Sequence, residues 1–144
     1  SAVRDALQAG HLEHAARLLG RPYSIDGRVV HGDKIGRQLG FNTANIRIKH
    51  ERPALQGVFA VEVKGLPGGP HQGAANLGYR PSANQVVRPL VEVHLFDFNA
   101  DIYGAHLNVR FLHKLRDEMK FPDFNALKAQ IASDVAAAKA YFQF

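Results

Sequence analysis

From Tyr23 onward, apolar residues recur at every second position in one short run after another, with no helical stretch between the runs. Tyr23, Ile25, Gly27 and Val29 alternate with Ser24, Asp26, Arg28 and Val30, and residues 57–64 read GVFAVEVK. Residues 71–78 follow a Gly/Pro-dense turn at 65–70, and residues 90–98 and 105–115 continue the series. A period of two gives each strand one buried face and one outer face. Parallel strands need a long crossover, usually a helix, and none is available here. The pattern therefore points to an antiparallel barrel or sandwich and disfavours a parallel βαβ nucleotide fold.

Helical periodicity is confined to the two ends. Val3, Ala6 and Leu7 form one short stripe, and Leu12, Ala15, Ala16 and Leu19 a second that stops at Gly20-Arg21-Pro22. Near the other end, Asp123 suits an N-cap, and Phe124, Leu127, Ile131, Val135, Ala138 and Phe142 share one face expected to pack on the strands.

With 144 residues the chain has room for one domain with a real core. Its apolar share of 46% with 22% charged residues excludes a disordered polymer. No apolar run reaches bilayer-spanning length and no charged-then-apolar leader opens the chain, so no membrane partner and a cytoplasmic location are expected. The absence of cysteine removes thiol catalysis. A net charge of +5 favours an anionic partner, but Lys and Arg are scattered instead of blocked, which argues against a nucleic-acid tail.

One stretch stands apart from the strand pattern. Residues 31–46 read HGDKIGRQLGFNTANI, with Gly32, Gly36 and Gly40 every fourth residue, Lys34 and Arg37 between them, and Asn42, Thr43 and Asn45 closing the run. Glycines let backbone N–H groups curl toward a close-approaching anion. Cations and hydroxyl or amide oxygens suit a polyphosphate carrying a hard divalent ion. The spacing matches neither generic phosphate-loop fingerprint, so a plain long hairpin loop, with Thr43 and Asn45 organising its exit, explains it equally well. A second candidate is Glu92, which shares a strand face with His94 while Val91, Val93 and Leu95 take the other. Glu92 can serve as a general base for a substrate lying on its face, or as half of a cross-strand salt bridge; His94 is the alternative base.

GRVVHGDKIGRQLGFNTANI resembles the signature loop of riboflavin kinases, G-x-V-x-x-G-x-x-x-G-(x)-x-L-G-[FI]-P-T-A-N. The likeness continues through VEVHLFDFNADIYG at 91–104 and LRDEMKF at 115–121, and covers most of the chain from Arg21. It implies a mainly β protein: a closed antiparallel six-stranded Greek-key β-barrel with a C-terminal α-helix packed on it and short N-terminal helices. It also implies a riboflavin kinase that makes FMN and ADP from ATP and riboflavin. On this resemblance Gly32, Arg37 and Thr43 contact ATP, Thr43 and Asn45 hold Mg²⁺ or another divalent cation beside it, Glu92 is the base, and Arg116 and Phe121 border the flavin; the glycine backbone from Gly32 through Gly36 to Gly40, with Lys34 adding charge, is the nominated phosphate cradle. In bacteria such a module is usually the C-terminal half of a bifunctional enzyme. Residues 1–20 are then a helical linker from an upstream FMN adenylyltransferase domain, and residues 21–144 the kinase domain. Asn42 departs from the pattern, standing where the family has a proline that would fix the turn into Thr43.

Two other readings compete. A small basic β-barrel that binds single-stranded nucleic acid would display aromatics along a strand face, whereas the phenylalanines here fall mostly in apolar strands and the closing helix. A flavin-binding module without catalysis would fit the change at Asn42, but Thr43, Asn45 and Glu92 are all retained.

Overall fold

A computed structural model describes residues 1–30, 43–48, 53–81, 86–98 and 100–144. Two short helices, α1 (Ala2–Gln8) and α2 (Leu12–Leu19), lead into strands β1 (Tyr23–Val30), β2 (Thr43–Arg47), β3 (Gly57–Lys64), β4 (His71–Pro81), β5 (Val87–Leu95) and β6 (His106–Arg116). The chain ends in α3 (Phe124–Phe142). The strands close into a barrel in the order β1-β2-β5-β4-β3-β6, every neighbouring pair antiparallel. β3, β4 and β5 follow one another as hairpins and β6 returns beside β3, which is a Greek key.

Alternation decides which side chains fill the barrel. Phe59, Val61 and Val63 of β3 point inward with Ala75 and Leu77 of β4, Val91 and Val93 of β5, and Val109 and Phe111 of β6. Phe59 and Phe111 meet edge to face, ring centroids 5.3 Å apart. Each large side chain removed from water in this way contributes about 1.5–3 kcal/mol before entropy is counted. Leu7, Leu12 and Ala15 of α1 and α2 belong to the same buried cluster, and α2 contacts β1 and β6.

The closing helix covers a different surface. Its N-cap is Asp123, whose carboxylate accepts from the Ala126 N–H at 2.8 Å. Ala138, with Val135 and Phe142 beside it, packs on Ala60, Ala74 and Phe96, so α3 lies on the outer face of β3 and β4. Because this contact uses the second half of the helix, Phe124 in the first turn stays exposed, contrary to the expected stripe. Leu19, at the end of α2, is exposed for a similar reason: the buried contacts of α2 are made by Leu12 and Ala15.

Three strand limits depart from the sequence expectation. β2 occupies residues read as the close of the glycine run. β4 continues to Pro81 instead of ending at Gly78, and β5 runs from Val87 to Leu95 instead of 90–98. In the last two cases the hairpin ladder extends through polar residues, Tyr79 opposite Pro89 and Arg80 opposite Arg88. Hydrogen bonding between backbones decides these limits, and side-chain polarity does not report on it.

Candidate active site

Strand register brings the candidates together on the outer face. Asn45 of β2 stands opposite Glu92 of β5, Glu92 opposite Asn76 of β4, Asn76 opposite Val58 of β3, and Val58 opposite Arg116 of β6. These residues form one lateral row across five strands. The next row runs Thr43, His94, Ala74 and Ala60. Directly opposed residues have their Cβ atoms about 4.5–5.5 Å apart, so Glu92 is an immediate neighbour of Asn45 and Asn76. Val91, Val93 and Leu95 are buried in the core, and Glu92 therefore projects outward as the alternation requires.

The α3 helix caps the second row by packing on Ala74 and Ala60, and Asp134 of the same helix makes a polar link to the end of β6. Arg116 donates from Nε and Nη2 to the two Asp134 carboxylate oxygens, both at 2.7 Å, and Gln130 donates to the same carboxylate at 3.0 Å. The Arg116 guanidinium also stands 5.9 Å from the Phe121 ring centroid. Arg116 and Phe121, both expected at the flavin border, are thus in contact, with Arg116 committed to α3. His94 lies between Thr43, whose hydroxyl is 3.0 Å from Nδ1, and α3. Burial pushes the His94 pKa down to about 4, against the opposing pull of the Asp134 carboxylate, so the ring is neutral at pH 7.

On the other side of Glu92, Arg80 of β4 reaches two carboxylates. Its Nη2 is 3.5 Å from Glu92 and its Nη1 is 3.7 Å from Glu118, which follows β6. The Glu118 carboxylate rests over Gly78, where a Cβ would collide with its Oε1. Asn76 Oδ1 and Glu118 Oε1 are buried without a hydrogen-bond partner. A buried acceptor left unmatched costs about 1–3 kcal/mol, so these two atoms suit a ligand that brings donors.

Asn76, Arg80, Glu118 and Asp134 were not singled out from sequence. Asp134 had a visible signal: it lies three residues after Ile131 and next to Val135, close to the apolar face of α3, where an acid demands a partner. The expected phosphate-cradle residues Gly32, Lys34, Gly36, Arg37 and Gly40, and the departure at Asn42, lie outside the described residues. Among the described residues no group of three or more His, Asp or Glu side chains can hold a metal ion. Thr43 and Asn45 offer a hydroxyl and an amide oxygen on one strand face beside a carboxylate. That donor set fits Mg²⁺, which keeps several waters and takes phosphate oxygens, and does not fit an all-protein metal cage.

A family profile described as Flavokinase, riboflavin kinase, matches residues 19–142. The chain belongs to the riboflavin kinase family. Among curated riboflavin kinase relatives, a bifunctional riboflavin kinase/FMN adenylyltransferase of Haemophilus influenzae is 50% identical over 142 residues, covering 99% of this chain and 46% of that protein. The protein of the same description from Escherichia coli K12 is 46% identical, covering 99% and 45%. The chain therefore spans a little under half the length of these relatives. Among solved structures, a riboflavin kinase from Trypanosoma brucei matches with a TM-score of 0.55 at 29% identity, covering 85% of this chain and 80% of that one. A Streptococcus pneumoniae structure described as a macrolide-efflux protein matches with a TM-score of 0.82 at 32% identity, covering 95% and 45%. Its description differs from that of the kinases; fold likeness alone carries no activity, and the family assignment rests on the profile match.

Proposed function

We propose that the chain transfers the γ-phosphoryl group of ATP to the ribityl 5′-hydroxyl of riboflavin, giving FMN and ADP. The observation that carries this reading is the direct pairing of Glu92 with Asn45, with Thr43 next along the same strand face. Glu92 accepts the hydroxyl proton as the oxygen attacks the γ-phosphorus; the bond from that phosphorus to the bridging oxygen breaks and ADP departs. His94 is the poorer base, because a ring with a pKa near 4 holds a proton weakly at neutral pH. Thr43 and Asn45 would hold Mg²⁺, which when bound neutralises charge on the phosphate oxygens. The buried acceptor on Asn76 is suited to a ribityl hydroxyl, and Arg116 with Phe121 to the border of the flavin ring. The glycine run with Lys34 and Arg37 remains the expected cradle for the phosphates.

Relatives named as bifunctional support residues 1–20 as the link from an upstream adenylyltransferase domain and residues 21–144 as the kinase domain; a cytoplasmic setting remains the expectation from the sequence. Among the described residues no helix is long and apolar enough to cross a membrane. The exposed aromatics Tyr103, Phe124, Tyr141 and Phe144 fall in a turn, in α3 and at the chain end, not along a strand, which disfavours a base-stacking platform.

Incubation with riboflavin, ATP and Mg²⁺, followed by chromatography for FMN, tests the proposal. Product from the native chain and a loss of about 10²- to 10⁴-fold in Glu92→Gln are expected. Salt-sensitive binding of single-stranded nucleic acid without FMN would favour the nucleic-acid reading, and FMN binding without turnover the inactive module.

A further inference from the structure

We infer that Lys114 is a positioning residue that ties the turn between α1 and α2 to residues 117–121, so that the N-terminal helices help hold the acceptor side of the site in place. The inference takes Arg116 and Phe121 as the flavin border, as proposed above.

The register of β6 against β3 makes the tie possible. Val61 stands opposite Phe111, Ala60 opposite His113, Phe59 opposite Lys114 and Val58 opposite Arg116, so β6 carries one extra residue at Leu112 and another at Leu115. An extra residue in one strand re-aims the side chains beside it. His113 therefore shares the outer face of Ala60, and Lys114 the face of Phe59, which belongs to the same buried cluster as Leu7, Leu12 and Ala15 of α1 and α2.

Lys114 uses its whole length there. Gly10, in the turn between α1 and α2, lies so near the stem that a Cβ would stand 2.5 Å from Lys114 Cδ; at Gly57, where β3 begins, a Cβ would stand 3.2 Å from Cε. The stem thus runs between two glycines, and its ammonium meets the Asp117 carboxylate at 2.6 Å with 23% of the lysine side chain exposed. A freely moving surface lysine loses rotamer freedom when it holds an ion pair, whereas one already confined by backbone on two sides loses little.

Both ends of the tie are anchored. The Asp117 carbonyl accepts from Arg116 Nη1 at 2.9 Å, and Arg116 is fixed to Asp134 of α3. His113 donates from Nδ1 to the Glu13 carboxylate of α2 at 2.7 Å and stacks on Tyr141 of α3, ring centroids 4.9 Å apart. A shift of α1 and α2 is therefore passed through Lys114 to Asp117, and from there to Glu118 and Phe121.

The test is nitrogen-15 NMR of the backbone amides of residues 117–121 in the native chain, Lys114→Met, Lys114→Arg, Asp117→Asn, Gly10→Ala and Gly20→Ala, beside kcat and KM for FMN formation. Lys114→Met and Asp117→Asn should lower the order parameters of 117–121 from the rigid range, about 0.85, toward the flexible range, below about 0.6. They should raise KM for riboflavin about two- to fivefold with kcat nearly unchanged, a loss of binding and not of chemistry. Lys114→Arg, which keeps the charge and a long stem, should restore both. Gly10→Ala displaces the Lys114 stem and should loosen 117–121 from a distant point in the sequence. Gly20→Ala strains the backbone in the same way, at φ +78° against +80° for Gly10, with nothing within 4 Å of the new methyl group, and should leave 117–121 as in the native chain. Native order parameters in Lys114→Met and Asp117→Asn, or an effect of Gly10→Ala matched by Gly20→Ala, overturn the inference. Loosening in an active chain whose KM does not move overturns the role at the acceptor. Loosening in a chain that makes no FMN upholds the tie and instead removes the kinase reading.

Discussion

Arg116 and Asp134 join two elements that strand pairing does not connect: the end of β6 and the middle of α3. Their forked pair leaves Asp134 6% exposed. Removing one partner of such a pair strands a buried charge. Arg116→Met should destabilise by about 3 kcal/mol in urea unfolding, whereas Arg116→Met with Asp134→Leu should recover most of the loss. A loss no greater for the single than for the double variant would show that the pair contributes packing only.

His94 gives the fold an acid-sensitive component. Its folded pKa, about 4, lies below the usual value near 6.5, so between these pH values the unfolded chain binds a proton that the folded chain refuses. Stability from this group is complete above pH 6.5 and declines as pH falls toward 4. The total is at most about 3 kcal/mol, reduced by the ring surface that remains in contact with water. Denaturant unfolding across this window should show a shallower slope in His94→Asn than in the native chain.

Gly78→Ala should tighten a space with no slack. The new methyl group meets the Glu118 carboxylate and the Arg80 guanidinium, at 2.8 Å for Nη1. A loss of about 1–3 kcal/mol is expected, together with a several-fold rise in KM for riboflavin as residues 117–121 are displaced. An unchanged KM would separate this segment from the acceptor.

Chelation should separate ion binding from folding. EDTA is expected to abolish FMN formation without moving the melting temperature, and added Mg²⁺ to restore it. Asn45→Leu should need about tenfold more Mg²⁺ for half-maximal rate, the loss of about 1.4 kcal/mol expected for one oxygen ligand. If Asn45→Leu keeps the native Mg²⁺ requirement, the ion lies elsewhere.

Legibility in the sequence followed how each feature is encoded. Strands with several inward-facing residues, such as Phe59, Val61 and Val63, announce themselves by period. β2 does not, because Ala44 and Ile46 provide only one repeat, and its place between β1 and β5 is set by long-range pairing. The outward direction of Glu92 was readable from its apolar neighbours; its meeting with Asn45, 47 positions earlier, depended on register, which local sequence does not encode. The bland alternative for Glu92, an ion pair with a cation, is also realised through Arg80, so both readings describe the same side chain. Arg80 falls beyond the period-two run that ends at Gly78, in polar surroundings without a pattern, and it is the ladder with Arg88 that turns it toward the site.

A ring of six strands with every neighbour bonded has no free margin along which one strand can slide. Glu92, Asn45 and Asn76 therefore behave as fittings on a rigid hoop. Accommodation of guests of different size falls to what is strapped around it: α3 and the span that reaches it from β6, held by side-chain pairs instead of a backbone ladder. Adaptation to another acceptor would be expected to accumulate in that strap while the hoop stays unchanged.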